Sequence, residues 1–256
     1  MSNEKHEAAF GARADDYATS QARVGDDSLE IIRGLVGAAP DSLHWAIDLG
    51  TGAGFNAFNL AGLDYRTVAT GLAEPMLKEA QRIGGERGLT NLSLCQNIAE
   101  SLPFANGSLD IVVSRMAAHH FGDYQAVITE AHRVLKVGGA LLIADSVAPE
   151  DNSTRDWMEE IELRRDYSHI ENRKPSVIEA MVTERGFNLV DRVHTSIHLK
   201  FDGWVARTAI PEPEAESLRR DFLNAPPAVK DAFEIQEVDD DIHFAWPCLI
   251  FRAVKV

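Results

Sequence analysis

The sequence predicts an α/β fold built on a mostly parallel sheet with helices on both faces. From residue 45 to 145, short apolar runs alternate with amphipathic stretches of helical period, the pattern of βαβ units with right-handed crossovers. Between the first run, Trp45-Ala46-Ile47, and the first helical stretch lies Asp48-Leu49-Gly50-Thr51-Gly52-Ala53-Gly54. Glycines in such a strand-to-helix turn let a ligand approach the backbone, and they aim the helix's free N–H groups at it.

The elements follow in order. Residues 8–40 read as helical: Asp26, Asp27 and Ser28 supply N-cap chemistry, Leu29, Ile31, Ile32, Leu35 and Val36 make an apolar face, and Gly37 stops it. Then come strand 45–48, helix 55–61, strand 67–70, helix 74–84, strands 92–96 and 109–114, helix 124–135 and strand 140–145, with Lys136-Val137-Gly138-Gly139 as the last helix-to-strand turn. The pattern changes at Val147-Ala148-Pro149-Glu150-Asp151. A charged helix is expected over 153–166 and another over 175–185, ending at Gly186. Strand-like segments at 188–199 and 243–254 are split by a helix at 212–224 and the acidic turn Asp239-Asp240-Asp241. Ile242-His243-Phe244-Ala245-Trp246 suits the antiparallel edge of such a sheet. The expected organisation is one domain over 1–256: an N-terminal helical cap (1–40), a nucleotide-binding-like core (41–147), a cap insertion (148–186) and C-terminal strands with a helix (187–256).

Composition narrows the partners. The 256 residues are 45% hydrophobic and 25% charged, with a net charge of −15, so long-range fields repel nucleic acid and anionic lipid. A small-molecule substrate is expected, with no nucleic acid and no membrane; a homo-oligomer stays open. Cys95 and Cys248 sit in apolar runs as small hydrophobes of a reducing compartment, and no Cys or His pair has metal-ligand spacing. The polar start Met1-Ser2-Asn3-Glu4-Lys5-His6 lacks an apolar signal core, so the cytoplasm is the expected location.

The glycine loop excludes two common readings. A dinucleotide fingerprint wants a third glycine where Phe55 stands, and a P-loop wants a Gly-Lys-Ser/Thr ending. Further segments sharpen it: Ala73-Glu74-Pro75-Met76-Leu77, Ala99-Glu100-Ser101-Leu102-Pro103-Phe104, Ser114-Arg115-Met116-Ala117-Ala118-His119-His120-Phe121 and Arg133-Val134-Leu135-Lys136-Val137-Gly138-Gly139. With the loop, they resemble the class I S-adenosylmethionine (SAM)-dependent methyltransferases, in particular the ubiquinone/menaquinone-biosynthesis C-methyltransferase branch. Val147 to Asp151, Arg165-Asp166-Tyr167-Ser168-His169 and Phe201-Asp202-Gly203-Trp204 extend the likeness over most of the chain. The resemblance implies a seven-stranded, Rossmann-like sheet with one antiparallel strand under a helical cap, SAM as cofactor, and methyl transfer to a small molecule. Its cofactor-binding positions fall on Asp48, Gly50, Gly52, Gly54, Gly71, Glu74, Asn97, Ile98, Ala99 and Ser114.

Two of these positions depart from the family. Gly71 stands where an acid usually grips the ribose hydroxyls, and Ile98 where an acid usually accepts from the adenine amine. Three readings therefore compete: SAM-dependent methyl transfer, a SAM-independent lyase, cyclase or hydrolase on the same fold, and a non-catalytic binding protein. Catalytic candidates are His119 and His120, placed after the fourth strand where open α/β sheets hold ligands, with Arg115 as an anion clamp and Tyr17 folding over the cofactor. Both histidines also have a structural reading. Arg164, Arg165, Asp166 and His169 form a candidate substrate rim, while the charge run Arg155 to Arg165 reads as a solvated face. Tyr167 replaces the family's usual proline, His243 and Trp246 read as core, and Asp145 as an exposed strand-end acid or a pocket residue.

Overall fold

The computed structural model describes residues 27–256 apart from Ser42 and Ala209, so Tyr17 and most of the expected N-terminal cap lie outside the described residues. Helix α1 (Ser28–Val36) is followed by β1 (Trp45–Leu49), α2 (Phe55–Ala61), β2 (Arg66–Gly71), α3 (Glu74–Glu86), β3 (Leu92–Gln96) and β4 (Leu109–Arg115). Next come α4 (Tyr124–Val134), β5 (Leu135–Ser146), α5 (Asn152–Arg165), α6 (Pro175–Glu184) and β6 (Phe187–Lys200). The chain closes with α7 (Phe201–Ala206), α8 (Glu212–Leu223), α9 (Pro227–Ala232), β7 (Gln236–Val238) and β8 (Asp241–Lys255).

The main sheet runs β3-β2-β1-β4-β5-β8-β6, and the three-residue β7 pairs with β8 off this path. β1 to β5 are mutually parallel, and β8 runs antiparallel to both neighbours, β5 and β6. This is the expected seven-stranded Rossmann-like sheet with one antiparallel strand, plus a short eighth. The antiparallel strand lies inside the sheet, however, and β6 is the edge. β8 is apolar at consecutive positions, as a strand covered on both faces requires, whereas β6 alternates between half-buried and exposed residues.

Side-chain alternation separates two cores. Ala140, Leu142 and Ala144 of β5 join Phe244, Trp246, Cys248 and Ile250 of β8 on one face, while Leu141, Ile143, Leu249 and Phe251 face the other. The first face carries α1, α5 and α7 to α9. Trp157, Trp204, Phe222, Phe233, Phe244 and Trp246 form a continuous aromatic cluster there, with edge and stacked contacts at 4.8–6.3 Å between centroids. The cap is thus built from α5 and the 201–233 segment. α6, expected within it, instead packs against β6 and α4 in the helical layer of the opposite face. Among the described residues no helix is long and apolar enough to cross a membrane.

Candidate active site

β1 delivers its chain into a turn in which Gly50, Gly52 and Gly54 all have positive φ, at 67°, 54° and 95°. Asp48 holds this turn from behind. Its buried carboxylate accepts from Thr51 Oγ1 at 2.6 Å and Asn56 Nδ2 at 2.7 Å, and Thr70 Oγ1 donates to its backbone carbonyl at 3.0 Å. Burial pushes the Asp48 carboxyl up to about 6, against the pull of those two side-chain hydrogen bonds and of Arg115. Thr51 N donates to Thr70 O at 2.8 Å, stapling the turn to β2.

Above the turn opens a cavity of about 550 Å³, in the range of ligand sites, lined at this end by Gly50, Thr51 and Gly52. Of the residues expected at the cofactor, Gly71, Asn97, Ile98 and Ala99 also line it. Asp48, Gly54, Glu74 and Ser114 do not. Asp48 is turned into the loop; Gly54 starts α2 with its Cα hydrogen side 2.5 Å, in Cβ terms, from the Phe58 ring; Ser114 Oγ donates to Leu49 O at 3.0 Å. Glu74 points outward and pairs with Lys78 at 2.9 Å. Since Asp48 acts through the loop, Asp48→Ala leaves Thr51 and Asn56 without their buried acceptor. The variant is expected to lose SAM binding and to melt at lower temperature; unchanged SAM affinity by calorimetry contradicts this role.

The cavity wall at the end of β2 carries no charge. A Cβ at Gly71 would meet Leu77 Cδ2 at 3.8 Å and Thr51 N at 4.0 Å, ordinary contacts that leave room for a side chain. Asn97 Nδ2 donates to Ile98 O at 2.9 Å, while Asn97 Oδ1 is buried with no partner among the described residues. A buried acceptor without a donor in a cavity wall suits a ligand amine such as that of adenine. The glycine turn and Asn97 therefore fit a nucleoside cofactor, and the end of β2 offers it no carboxylate.

Beside the glycine turn, where Gly50 packs against Ala117 and Phe121, the cavity wall holds titratable groups. The turn Ala118–His120 after β4 places His119 beside the end of the neighbouring β5. Asp145 Oδ1 accepts from His119 Nδ1 at 2.6 Å, and Asp145 Oδ2 accepts from His119 N at 3.0 Å. Asp145 is buried, not an exposed strand end. Burial opposes a charged His119, but the Asp145 carboxylate outweighs it and raises the imidazole above its ordinary value. Asp145 is held below the usual carboxylate range in turn: burial raises it, and His119 more than compensates. With Nδ1–H given to Asp145, Nε2 is the basic nitrogen of neutral His119, which lines the cavity.

The His120 ring lies 4.0 Å from that of His119, tilted by 48°, and His120 donates through Nδ1 to Ser168 O at 3.0 Å. Burial and the charge on His119 hold it well below the ordinary value, so His120 is neutral and His119 is the group that titrates. Arg115, buried, lines the cavity and donates from Nε to Ser28 Oγ at 2.7 Å, tying α1 to β4. Loop 168–172 is stitched over the turn: Ile170 N and Glu171 N both donate to His119 O. His169 reaches Glu159 at 3.2 Å, Glu159 accepts from Asn172 N, and Ser146 Oγ donates to Asn172 Oδ1 at 2.7 Å, closing a polar network back to Asp145.

Of the expected rim, Arg165, Asp166 and His169 line the cavity, but Arg164 turns away to bind Glu214, Ser217 and Asp221 of α8, and Tyr167 is exposed. The α5 face is not wholly solvated either: Glu162 is buried and accepts from Trp246 Nε1 at 2.5 Å. Trp246 is core on one side and cavity wall on the other, joined by Trp204. Among the described residues no three His, Cys, Asp or Glu side chains group as a metal set.

A family profile described as "Methyltransferase domain" matches residues 47–143. The Escherichia coli protein YafE is 33% identical over 169 residues, spanning 66% of this chain and 82% of its own. YcgJ of Bacillus subtilis, an uncharacterized methyltransferase, is 28% identical over 214 residues, or 83% of this chain and 85% of its own. The YcgJ crystal structure superimposes with a TM-score of 0.84 over 89% of this chain and 97% of that one, at 27% identity. The [4+2]-cyclase SpnF shares the fold at a TM-score of 0.59 and 17% identity, over 89% of this chain and 79% of that one. The profile match spans both the glycine turn and the two histidines, and the likeness to YcgJ in sequence and structure extends over most of both chains; this chain belongs to the class I methyltransferase family and is a methyltransferase-like enzyme.

Proposed function

We propose that the protein methylates a small-molecule acceptor from SAM, with His119 as the general base. The observation that carries this reading is one cavity lined both by the glycine turn and by His119, whose imidazole Asp145 orients from behind. Gly50, Thr51 and Gly52 receive the amino-acid side of the cofactor, and Asn97 Oδ1 and the backbone at Ala99 receive the adenine. Bound there, SAM supplies an electrophilic methyl carbon and leaves as S-adenosylhomocysteine. His119 Nε2 takes the proton from an acceptor hydroxyl, enol or thiol as the freed lone pair bonds to that carbon, and Asp145 stabilises the resulting imidazolium. Cap residues exclude water from the reacting atoms. Incubating the protein with SAM and a fractionated small-molecule extract should release S-adenosylhomocysteine, detected by mass spectrometry, from the native enzyme and not from His119→Gln. No release from any fraction, with SAM unbound, contradicts the reading.

A SAM-independent reaction is the second reading, favoured by the absence of carboxylates at Gly71 and Ile98 and by the outward turn of Glu74. The fold itself leaves both open. This alternative expects His119→Gln to abolish a conversion that proceeds without added SAM.

A further inference from the structure

We infer that the acceptor carries a carboxylate and that Arg165 binds it; the inference rests on the reading of the cavity as a methyl-transfer site. Arg165 ends α5 with its side chain 12% exposed and faces the cavity. One edge of the guanidinium is taken: Nη1 donates to Glu162 Oε2 at 3.2 Å and lies 3.7 Å from Asp166 Oδ2. Its face lies over the Trp204 ring at 4.8 Å, which fixes its plane. Nε is buried and has no partner among the described residues. A guanidinium carries five N–H donors and no acceptor, so Nε is a donor left unmet inside the wall of a ligand cavity.

The unmet edge has a definite chemistry. Nε and Nη2 of a guanidinium form a fork whose spacing matches the two oxygens of a planar carboxylate. The neighbouring carboxylates are engaged elsewhere: Glu162 accepts from Trp246 and Arg165, and Asp166 accepts from the backbone N and hydroxyl of Ser168. They set the limit on the ligand, since a dianionic phosphate would bring a second negative charge against them. Arg207, on the same wall, adds a positive charge that favours an anion over a neutral ligand. The indoles of Trp204 and Trp246, inclined at 78° to each other, with Ile197 and Leu199 give an adjoining apolar surface that suits the hydrocarbon body of the acceptor. The acceptor class is a hydroxylated carboxylic acid with an apolar body.

The test titrates 4-hydroxybenzoate and its neutral counterpart 4-hydroxybenzamide into the full-length protein by calorimetry, with and without S-adenosylhomocysteine. The acid should bind at least about tenfold more tightly than the amide, because only the acid meets the fork with a charge-assisted pair. In Arg165→Lys, which keeps the charge and loses the fork, the preference should shrink to about threefold or less. Equal affinities in the native protein, binding of neither compound, or an undiminished preference in Arg165→Lys overturns the inference. The native comparison decides even if the variant misfolds. Failure of S-adenosylhomocysteine to bind would instead remove the methyl-transfer reading, and the titrations without it still decide the subsite.

Discussion

Gly71→Asp is expected to raise the affinity for SAM by about ten- to a hundredfold, the worth of one charge-assisted hydrogen-bonded pair at 1.5–3 kcal/mol. The position ends β2 at the cavity, and a Cβ there has only ordinary contacts, the nearer at 3.8 Å, so the new side chain enters without displacing its neighbours. Among the described residues the polar side chains near that strand end are engaged: Glu74 is exposed and paired with Lys78, Glu100 accepts from Gly122 N at 3.0 Å, and Gln96 donates to Leu72 O at 2.8 Å. Combining it with Ile98→Asp should raise the affinity further, because that side chain also lines the cavity. Calorimetric titration of both variants measures the effect. No gain in Gly71→Asp would mean that the ribose does not lie against the end of β2.

Asp145→Asn is expected to drop the titration midpoint of His119 from above the ordinary imidazole value of about 6.5 to below it. Burial acts on His119 in the direction of the neutral ring; the Asp145 carboxylate, 2.6 Å away, opposes it most strongly, with Glu162 and Asp166 adding to its pull. Ring-proton NMR across a pH series reads the shift without any knowledge of the acceptor; an unmoved midpoint would show that the two groups are not coupled. In turnover, the acid limb of the native pH profile should lie above that of the variant. The variant should also be slower by about 10²–10⁴-fold at the plateau, where an oriented base contributes most. Stability carries the same signature. His119 is raised in the folded state, so the pair's contribution is fully present below the unfolded value and is lost as pH rises through the folded one. Thermal melts should therefore separate native and Asp145→Asn protein more at pH 6 than at pH 9.

Much of this was legible from periodicity and little of it from motif spacing. The alternation of apolar runs and helical stretches located β1 to β5 and their helices to within a few residues, because each element buries enough surface to impose its period. The six-residue helices α7 and α9 and the three-residue β7 escaped: one and a half turns, or one hairpin rung, leave too few positions for a period to show. The site was legible by place more than by role. The turn at Asp48 was evident, but whether its carboxylate meets a ligand or the loop depends on side-chain direction, and Thr51 and Asn56 claim it. Asp145 stayed open between an exposed strand end and a pocket residue because its partner is 26 residues away; the pairing of β4 with β5 brings His119 to it. The cavity-facing side of α5 did carry a signal. Thr154, Met158, Ile161, Glu162 and Arg165 recur at helical spacing, so the acid and the arginine share a stripe with buried apolar residues. In a run this rich in charge, that stripe was masked by its solvated neighbours.

Calorimetric titration of the native protein with SAM and S-adenosylhomocysteine decides whether this cavity, with no carboxylate at Gly71 or Ile98, is the proposed SAM site. Saturable binding of both at micromolar concentrations is expected, one ligand per chain, abolished in Asp48→Ala. Absence of binding by protein shown free of co-purified ligand would contradict it, and would leave the His119–Asp145 pair to a reaction that uses no SAM.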